Sequence, residues 1–532
     1  MGPKHVGVRS SQRYFKDLTA ANTVVEGTAT SKLHLKVRLT FRLTNAGGAT
    51  YSFKVYDKNK ANLLIESSQE QYPEGGELTF KTILLMEYLF EMEQPLVIVI
   101  NKTKGGHCST AEIPTTLGCI VGSRRSTLVK KLENGFIETL HVTATQFKDE
   151  KKYLIIEFEL DKVIDFKIPK NRLYYIIHKN GQLYQSETVS AQGTFAPIRI
   201  PIALIDGDFQ IEFYNSKGRA THIINTSTSI IEGLMNQQFT VPLSHRRNLN
   251  IRHKSKIRKE HSFIEYLQSG VQIGLGVAID FTGSNGHPKD SKSLHFISPN
   301  QPNAYERAIM SCGNIIAYYD YDQLFPVFGF GAVLPGQKET NMCFNLNGTP
   351  DPHIYTINAI LEAYRKMIFQ VTFSGPTYFA EILRTVIRMI KSENNSLKYT
   401  VLLILTDGMI CDMEDTISLI VEASRLPLSI VIVGIGNADF QNMVELDSDD
   451  GLLESKNGKR AIRDLVQFVP FAKFEGNGEE LAKEVLKEIP GQIVEYYEMV
   501  GIYPNPAPAP TAPTTEPTAP TAPTAPIAPI AP

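Results

Sequence analysis

The sequence predicts a multidomain protein in which two all-β sandwiches are followed by an α/β domain of the doubly wound, Rossmann-like class. Short runs rich in β-branched and aromatic residues, separated by Gly, Asn and Asp, fill residues 30–243. Apolar runs then alternate with helical periodicity over residues 261–503. A length of 532 residues fits about three domains of roughly 150 residues each.

The β-rich part of the chain divides into two units of similar length. We expect an N-terminal segment at 1–29, a first sandwich at 30–133 and a second at 136–243, with the boundary near Glu133, Asn134 and Gly135. About 100 residues is a usual size for such a sandwich. The predicted strands lie at 32–43, 77–85, 95–100, 152–160, 172–179, 197–205 and 208–215.

A basic segment at 244–260 follows the second predicted sandwich. The net charge of the chain is −2, so any attraction to anionic surfaces must be local. We expect either a solvated linker or a patch that attracts anionic lipid headgroups, where each charge near the surface contributes about 1 kcal/mol. Its basic residues are Arg246, Arg247, Arg252, Lys254, Lys256, Arg258 and Lys259.

The C-terminal half alternates predicted strands with predicted helices. Near-continuous apolar runs indicate strands that are buried on both faces, which is typical of a parallel sheet. The strands are expected at 271–280, 325–333, 399–406 and 428–436, and the helices at 304–320, 356–369, 376–391 and 412–425. The Pro/Ala/Thr-rich tail at 504–532 is expected to be an extended spacer or a ligand for an aromatic groove.

Oxygen-bearing side chains follow the predicted strand at 271–280. Asp280 ends the strand, and Thr282 and Ser284 come next at alternate positions, with Gly283 and Gly286 loosening the turn. A carboxylate and two hydroxyls on an extended loop can converge on one point, and hard divalent cations prefer such oxygen ligands. The pattern therefore predicts a metal site at the end of this strand.

Two further residues extend this candidate site. Thr377 lies beside Pro376 at a predicted helix start, and Asp407 directly follows the strand at 399–406. Taken alone, Thr377 fits ordinary helix-entry chemistry and Asp407 fits a turn. Because ligands bind at the carboxyl ends of parallel strands, the edge of one sheet would bring the three loops together.

Several motifs resemble those of a known family. DFTGS, GPT and LTDG are similar to the metal-ion-dependent adhesion site (MIDAS) of a von Willebrand factor A domain. More specifically, AIDFTGSNG, FGFGA, GPTYFAEIL, LTDGMICDM, SIVIVGIGNADFQNMVELDSDDG and FVPF resemble the copines, which have two C2 domains before an A-type domain. The resemblance is dense over 261–503 and weaker over 30–243, where TLGCIVGS and ELDKVIDF carry it.

The resemblance implies roles for the five oxygen-bearing residues. Thr282, Ser284 and Thr377 would give hydroxyl oxygens to Mg²⁺ or Mn²⁺, and Asp280 and Asp407 would bind it directly or through water. A vacant coordination position would accept a carboxylate from a protein partner. The chain departs from the family at His287, where copines usually carry an acidic residue, but this position lies outside the five ligands.

The two C2-type domains depart further from the calcium-binding pattern that the resemblance implies. In the second domain Asp165 matches the first loop's leading aspartate, but Asn171 replaces the next one. Ca²⁺ needs carboxylate charge for useful affinity, so we expect at least one C2-type domain to bind it poorly. The other loops carry Asn and Lys where carboxylates belong, at Asn101, Lys102, Asn215 and Lys217.

Basic residues of these same loops are candidates for direct contact with anionic lipid. Alternatively, they are simply exposed loop residues. The candidates are Lys102, Lys104, Lys217 and Arg219.

Composition and motifs narrow the function class. Five widely spaced cysteines without a CxxC pair fit free thiols in a reducing cytosol, and the N-terminus lacks the apolar core of a signal peptide. We expect a cytoplasmic, non-enzymatic protein that associates reversibly with membranes and binds no nucleic acid. It would be a calcium-responsive phospholipid-binding protein that recruits protein partners through a metal, or a calcium-insensitive adaptor. An enzyme is disfavoured because no general base accompanies the metal site.

Overall fold

The computed structural model describes most of the chain. The described residues are 16–17, 35–57, 60–72, 76–133, 135–146, 152–160, 172–186, 188–190, 195, 198–215, 218–234, 237–244, 247–259, 261–393, 395–447 and 452–504. Among them, none of the helices combines the length and apolar character that crossing a bilayer requires.

The first sandwich consists of two antiparallel sheets packed face to face. One has the strand order β10-β11-β2-β6, with β7 also paired to β2, and the other has the order β4-β3-β8-β9, with β5 paired to β3. Alternating residues of β3 are buried, as expected for a strand with one face on the core. The elements are β2 (Leu35–Ala46), β3 (Ala49–Asp57), β4 (Leu63–Glu66), β5 (Glu70–Tyr72), β6 (Gly76–Thr79), β7 (Leu84–Tyr88), β8 (Pro95–Lys104), β9 (His107–Thr116), α1 (Leu117–Gly122), the 3₁₀ turn Arg124–Ser126, β10 (Thr127–Lys131) and β11 (Thr139–Gln146), and a short strand β1 (Lys16–Asp17) precedes them.

The second sandwich is built from three smaller sheets. Their strand orders are β1-β17-β12-β22, β13-β21-β20 and β15-β14-β18-β19, with β16 paired to β14. The elements are β12 (Lys152–Ile156), β13 (Phe158–Leu160), β14 (Arg172–His178), β15 (Gln182–Gln185), β16 (Val189–Ser190), β17 (Ile198–Pro201), α2 (Ile202–Ile205), β18 (Asp208–Asn215), β19 (Ala220–Ser227), the 3₁₀ turn Ile231–Leu234, β20 (Gln238–Ser244), β21 (Arg247–His253) and β22 (Lys256–Lys259).

Two predicted boundaries are wrong. Strand β11 pairs with β2 along its whole length, so residues 139–146 belong to the first sandwich rather than to a second one that begins at 136. The segment around Glu133 is instead the hairpin turn between β10 and β11. The predicted strand at 197–205 is also too long, because β17 ends at Pro201 and a short helix follows.

The prediction of a linker at 244–260 is wrong as well. Strand β21 pairs with β20 and β13, and β22 pairs with β12, so this segment supplies two strands of the second sandwich. Its inward positions are Ile251, His253 and Ser255, which are buried, and Arg252 and Lys254 occupy the positions between them. A polar His and Ser at inward positions conceal the period-two pattern that normally reveals a strand.

The C-terminal domain is a doubly wound α/β sheet, as predicted. Its five parallel strands have the order β24-β23-β29-β30-β31, and β26 and β27 join β24 antiparallel. The elements are α3 (Phe263–Gln268), β23 (Gln272–Asp280), the 3₁₀ turn Gly283–Asn285, α4 (Ala304–Ile316), β24 (Leu324–Phe330), β25 (Ala332–Val333), β26 (Phe344–Asn345), β27 (His353–Tyr355), α5 (Ile357–Met367), β28 (Thr372–Phe373), α6 (Ala380–Ser392), β29 (Lys398–Thr406), α7 (Met413–Ala423), β30 (Leu428–Gly434), α8 (Gln441–Leu446), β31 (Val466–Pro470), the 3₁₀ turn Phe471–Phe474, α9 (Gly478–Leu486) and α10 (Ile489–Met499).

The pairing of β21 generates a testable difference between two neighbouring side chains. Ile251→Ala removes a fully buried side chain and should lower the free energy of opening of β18 by about 2–5 kcal/mol, measured by native-state hydrogen exchange. Arg252→Ala is the matched control, since its partly exposed pair with Glu159 contributes about 1 kcal/mol or less. Equal, negligible effects of both changes would mean that the segment is a linker.

Candidate metal centre

The candidate site lies where the strand order of the parallel sheet reverses. The chain runs from β23 to β24 on one side and later returns to β29 on the other, so a crevice opens at the carboxyl ends of β23 and β29. Ligands of open α/β sheets bind at such a switch point. Asp280 is the last residue of β23, and Asp407 directly follows β29.

The first loop folds tightly around the Asp280 carboxylate. One carboxylate oxygen accepts hydrogen bonds from the Thr282 backbone N–H at 2.7 Å and from its hydroxyl at 2.6 Å. The other accepts one from the Thr406 hydroxyl at 2.6 Å. Because the side chain of Asp280 is fully buried, these donors stabilise a charge that water cannot reach.

A chain of oxygens links this loop to Asp407. The Thr282 and Ser284 hydroxyls lie 3.0 Å apart, and the Ser284 hydroxyl donates to an Asp407 carboxylate oxygen at 2.9 Å. The same Asp407 oxygen lies 3.4 Å from the Thr282 hydroxyl. Ser284 is exposed, whereas Asp280, Thr282 and Asp407 are buried, so the cluster opens to solvent on the Ser284 side.

Thr377 joins the cluster from a third loop. A Cβ atom added to Gly408 would lie 3.0 Å from the Thr377 hydroxyl oxygen and 3.8 Å from that of Ser284, so both hydroxyls border the same small space. The Thr377 carbonyl accepts from the Cys411 N–H at 2.9 Å. The structure thus brings together all five of the predicted oxygen-bearing residues.

Asp412 holds the Thr377 loop in place. Its two carboxylate oxygens accept from the backbone N–H groups of Phe379 at 3.0 Å and Ala380 at 2.8 Å, where α6 begins. The Thr416 hydroxyl of α7 donates to the same carboxylate at 3.1 Å. Asp412 therefore fixes the entry to α6 against α7, and the sequence pattern alone did not indicate this role.

Other supporting residues were also missed. His295 is fully buried, and its Nε2 lies 2.8 Å from the Asp280 carbonyl while its Nδ1 lies 2.7 Å from the Tyr364 hydroxyl. A carbonyl only accepts, so Nε2 carries the proton and the ring is neutral. Burial lowers the pKa of His295 to about 3, which keeps it neutral at physiological pH. The side chains of Thr406 and Asn285 donate to the Asp280 carboxylate. These two supporting residues could have been suspected from the sequence, because each adjoins a predicted ligand.

The two carboxylates repel each other. Burial raises the pKa of Asp280, although the hydrogen bonds to Thr282 and Thr406 oppose this. Burial and the charge of Asp280 raise the pKa of Asp407 to about 7. A divalent cation between the two would remove the repulsion, so the residues fit a metal ion.

The donor set also indicates which metals would fit. Among the described residues, no group of three or more His, Cys, Asp or Glu side chains is placed to hold a metal, so hydroxyl oxygens must complete the set around the two carboxylates. Such a set of oxygens suits hard cations such as Mg²⁺ or Mn²⁺ better than soft ones.

Comparison with known proteins identifies a family for part of the chain. A family profile described as Copine matches residues 293–505. Copine-C of Dictyostelium discoideum is 46% identical over 259 residues, which cover 48% of this chain and 48% of that protein. Residues 293–505 therefore form a copine domain. The chain spans about half the length of this curated relative.

Several solved structures are distantly similar to this chain. The paired C2 domains of Extended-Synaptotagmin 2 are 11% identical, with a TM-score of 0.18, covering 46% of this chain and 99% of that one. Manganese-loaded Plasmodium vivax TRAP protein is 15% identical, with a TM-score of 0.25, covering 38% and 70%. The SpRpn10 VWA domain is 12% identical, with a TM-score of 0.25, covering 38% and 87%. These similarities are too distant to support the fold, which is therefore described from the strands and helices of this chain.

The described candidate residues of the two sandwiches make separate local contacts, unlike the five converging residues of the metal centre. Asp165, Asn171, Lys217 and Arg246 lie outside the described residues. Asn101 accepts a hydrogen bond from Thr110 within the sheet, and the Asn215 side chain accepts from the Arg219 N–H. Lys104 and Arg219 are exposed and stay candidates for lipid contact.

Lys102 has a structural partner. Its ammonium lies 2.7 Å from the carboxylate of Glu138, which is buried and also accepts from the Tyr51 hydroxyl at 2.6 Å. Burial alone would raise the pKa of Glu138, but the hydrogen bonds from Lys102 and Tyr51 lower it below its usual value. Lys102 therefore neutralises a buried charge, and the prediction that it meets lipid conflicts with this arrangement.

Several basic residues of β21 and β22 also interact with acidic or aromatic side chains. Arg252 and Lys254 both pair with Glu159, at 3.3 and 2.9 Å. Lys259 pairs with Glu265 at 3.1 Å, and the guanidinium of Arg258 lies 5.7 Å from the Tyr503 ring. Lys256 is half-buried, and the side chain of Arg247 lies outside the described set. The charges therefore lie along two paired strands of the second sandwich.

The raised pKa of Asp407 predicts a pH-dependent metal affinity. A carboxyl group with a pKa of about 7 is mostly protonated at pH 6 and mostly ionised at pH 8, and only the ionised form binds the metal. Mn²⁺ should therefore bind the full chain about tenfold more weakly at pH 6 than at pH 8, measured by electron paramagnetic resonance of free Mn²⁺. Asp407→Asn should bind weakly at both values, and an affinity independent of pH in the unaltered chain would contradict the assignment.

Proposed function

We propose that this chain is a peripheral membrane protein that binds anionic phospholipid through its sandwiches and recruits protein partners through a metal in its A-type domain. The observation that carries the proposal is the convergence of two carboxylates and three hydroxyls at the switch point of the parallel sheet. Mg²⁺ or Mn²⁺ would be held by Asp280, Thr282, Ser284, Thr377 and Asp407. The protein would be cytoplasmic and would associate reversibly with the cytoplasmic face of membranes.

The chemistry of the site favours capture of a ligand over catalysis. The metal would supply positive charge and a coordination position for a carboxylate of the partner. The hydroxyl of Ser284 faces solvent, so a partner can approach from that side. The imidazole of His295, which contacts the Asp280 carbonyl, is buried, neutral and bonded through both ring nitrogens, and therefore it is not placed to act as a general base.

The metal-dependent part of the proposal is tested at Ser284. Ser284→Ala removes one exposed hydroxyl and should weaken Mn²⁺ binding by roughly tenfold or more while leaving the melting temperature unchanged. In the unaltered chain, bound Mn²⁺ should enhance water-proton relaxation, and a Glu-containing peptide should reduce that enhancement by displacing water from the metal.

Ser291→Ala is the matched control for that experiment, because Ser291 is an exposed serine of the adjacent loop. It should bind Mn²⁺ as the unaltered chain does. Equal Mn²⁺ affinity for both serine variants would exclude Ser284 as a ligand. An enhancement that the peptide leaves unchanged would exclude capture of a carboxylate.

A second candidate function is a calcium-insensitive adaptor that binds anionic lipid or protein without Ca²⁺. The pairing of Lys102 with buried Glu138 favours it. Because the Lys102 ammonium already neutralises Glu138, this pair offers Ca²⁺ no net negative charge near the hairpin between β8 and β9. The two candidates differ in whether membrane binding requires Ca²⁺, and not in the role of the A-type domain.

Cosedimentation of the full chain with phosphatidylserine vesicles separates the two candidates. Because Lys102 is paired with Glu138, we expect vesicle binding to persist in chelator. Lys104→Ala should weaken vesicle binding about fivefold, since one cationic charge contributes about 1 kcal/mol. Lys130→Ala removes an exposed charge elsewhere on the first sandwich and is the matched control. A gain of more than about tenfold on adding Ca²⁺ would reject the adaptor and support the calcium-responsive function.

A further inference from the structure

The first sandwich and the A-type domain share one continuous hydrophobic core. Phe90 of the first sandwich packs against Phe263 and Tyr319 of the A-type domain, with ring centroids 5.2 and 4.8 Å apart. The hydroxyls of Tyr88 and Tyr319 are hydrogen-bonded to each other across the same contact. All four aromatic side chains are at most 3% exposed, so this contact is as dry as the interior of a single domain.

Backbone also approaches backbone at this contact. A Cβ atom on Gly122, at the end of α1, would lie 2.2 Å from the Tyr318 carbonyl oxygen, which is closer than two unbonded atoms can come. The Gln268 side chain donates to the Ala144 carbonyl at 2.6 Å, and the Tyr318 hydroxyl donates to Glu93 at 3.1 Å. The two surfaces therefore fit in one relative position, because the close approach leaves no room for sliding.

The second sandwich is attached differently. Its apolar residues form a separate core of their own. Its described contacts with the A-type domain include a pair between Lys259 and Glu265 and a long hydrogen bond of 3.5 Å from the Tyr153 hydroxyl to Glu498. Arg258 also lies over the Tyr503 ring. A partly exposed ion pair, a long hydrogen bond and one cation–π contact hold two domains together weakly, and relative motion is the usual behaviour of domains joined in this way.

The apolar contact and the metal centre lie at opposite edges of the parallel sheet. Residues 318–321 and Gln268 precede β24 and β23, so the first sandwich covers the amino ends of the strands, whereas Asp280 and Asp407 lie at the carboxyl ends. Within the first sandwich, β8 begins beside the contact and ends at Lys104. The hairpin that joins β8 to β9 therefore points away from the A-type domain.

We propose that the first sandwich and the A-type domain form one rigid unit, with the metal centre at one end and the hairpin of residues 104–107 at the other, and that the second sandwich moves relative to this unit. Any partner held at the metal would then face away from a surface that the hairpin contacts. The rigidity depends on this contact between the two domains and requires neither lipid nor metal.

Two exposed cysteines allow the proposal to be tested in the full chain. Cys108 lies next to the hairpin, and Cys411 lies beside the metal centre. Nitroxide labels on this pair should give a narrow distance distribution by double electron–electron resonance in metal-free buffer, and single Cys→Ser changes identify its signal. A label on Ile223→Cys, in the second sandwich, paired with Cys411 in a Cys108→Ser background, should give a broad distribution.

Gly122→Ala is the decisive variant, since its added methyl group meets the A-type domain at a position where φ is not positive. It should broaden the distribution between Cys108 and Cys411. Gly491→Ala, on α10, adds a methyl group that meets nothing within 4 Å and should leave that distribution narrow.

If Gly122→Ala does not fold, Phe90→Ala tests the same contact with the same expected broadening. A broad distribution between Cys108 and Cys411 in the unaltered chain would overturn the rigid unit. A narrow distribution between the labels at 223 and 411 would overturn the motion of the second sandwich.

Discussion

The unfavourable proximity of two buried carboxylates is the constraint on which the candidate metal centre depends. Asp280 and Asp407 lie on adjacent parallel strands, and the register of β23 and β29 brings the strand ends together at the same edge of the sheet. Hydrogen bonds from Thr282 and Thr406 reduce the cost of burying the charge on Asp280 but do not remove the repulsion from Asp407. The position of the site, its preference for oxygen ligands and its expected pH dependence all follow from this arrangement.

The same arrangement explains why the centre could be predicted from sequence. Each carboxylate directly follows a near-continuous apolar run, and strands of that kind are buried in parallel sheets whose carboxyl ends align. Thr377 needed the family resemblance, because its own sequence context fits an ordinary helix start. The supporting roles of His295 and Asp412 could not be predicted, since their partners, Tyr364 and the Phe379–Ala380 backbone, are set by tertiary packing.

The errors in the β-rich half have a common physical origin. Composition marks a segment as basic or a dipeptide as a turn, but the pairing partners decide which sheet a strand joins. Arg252 of β21 lies between inward Ile251 and His253, so the charged face is only one side of a strand whose other face is buried. The turn at Gly135 is also present, but it lies inside a hairpin of the first sandwich, because β11 pairs with β2 about a hundred residues earlier. Separations of that size leave no local signal.

The ion pair between Lys102 and Glu138 agrees with the fixed attachment of the first sandwich to the A-type domain. An ammonium that neutralises buried Glu138 strengthens the fold of the first sandwich, whereas a calcium site at the same hairpin would require exposed carboxylates and loops able to adjust around an ion. Aromatic packing fixes the first sandwich against the A-type domain. Movement of its loops around an ion would therefore not change the relative position of the two domains. The second sandwich, with a separate core and polar contacts to the A-type domain, is not subject to this constraint.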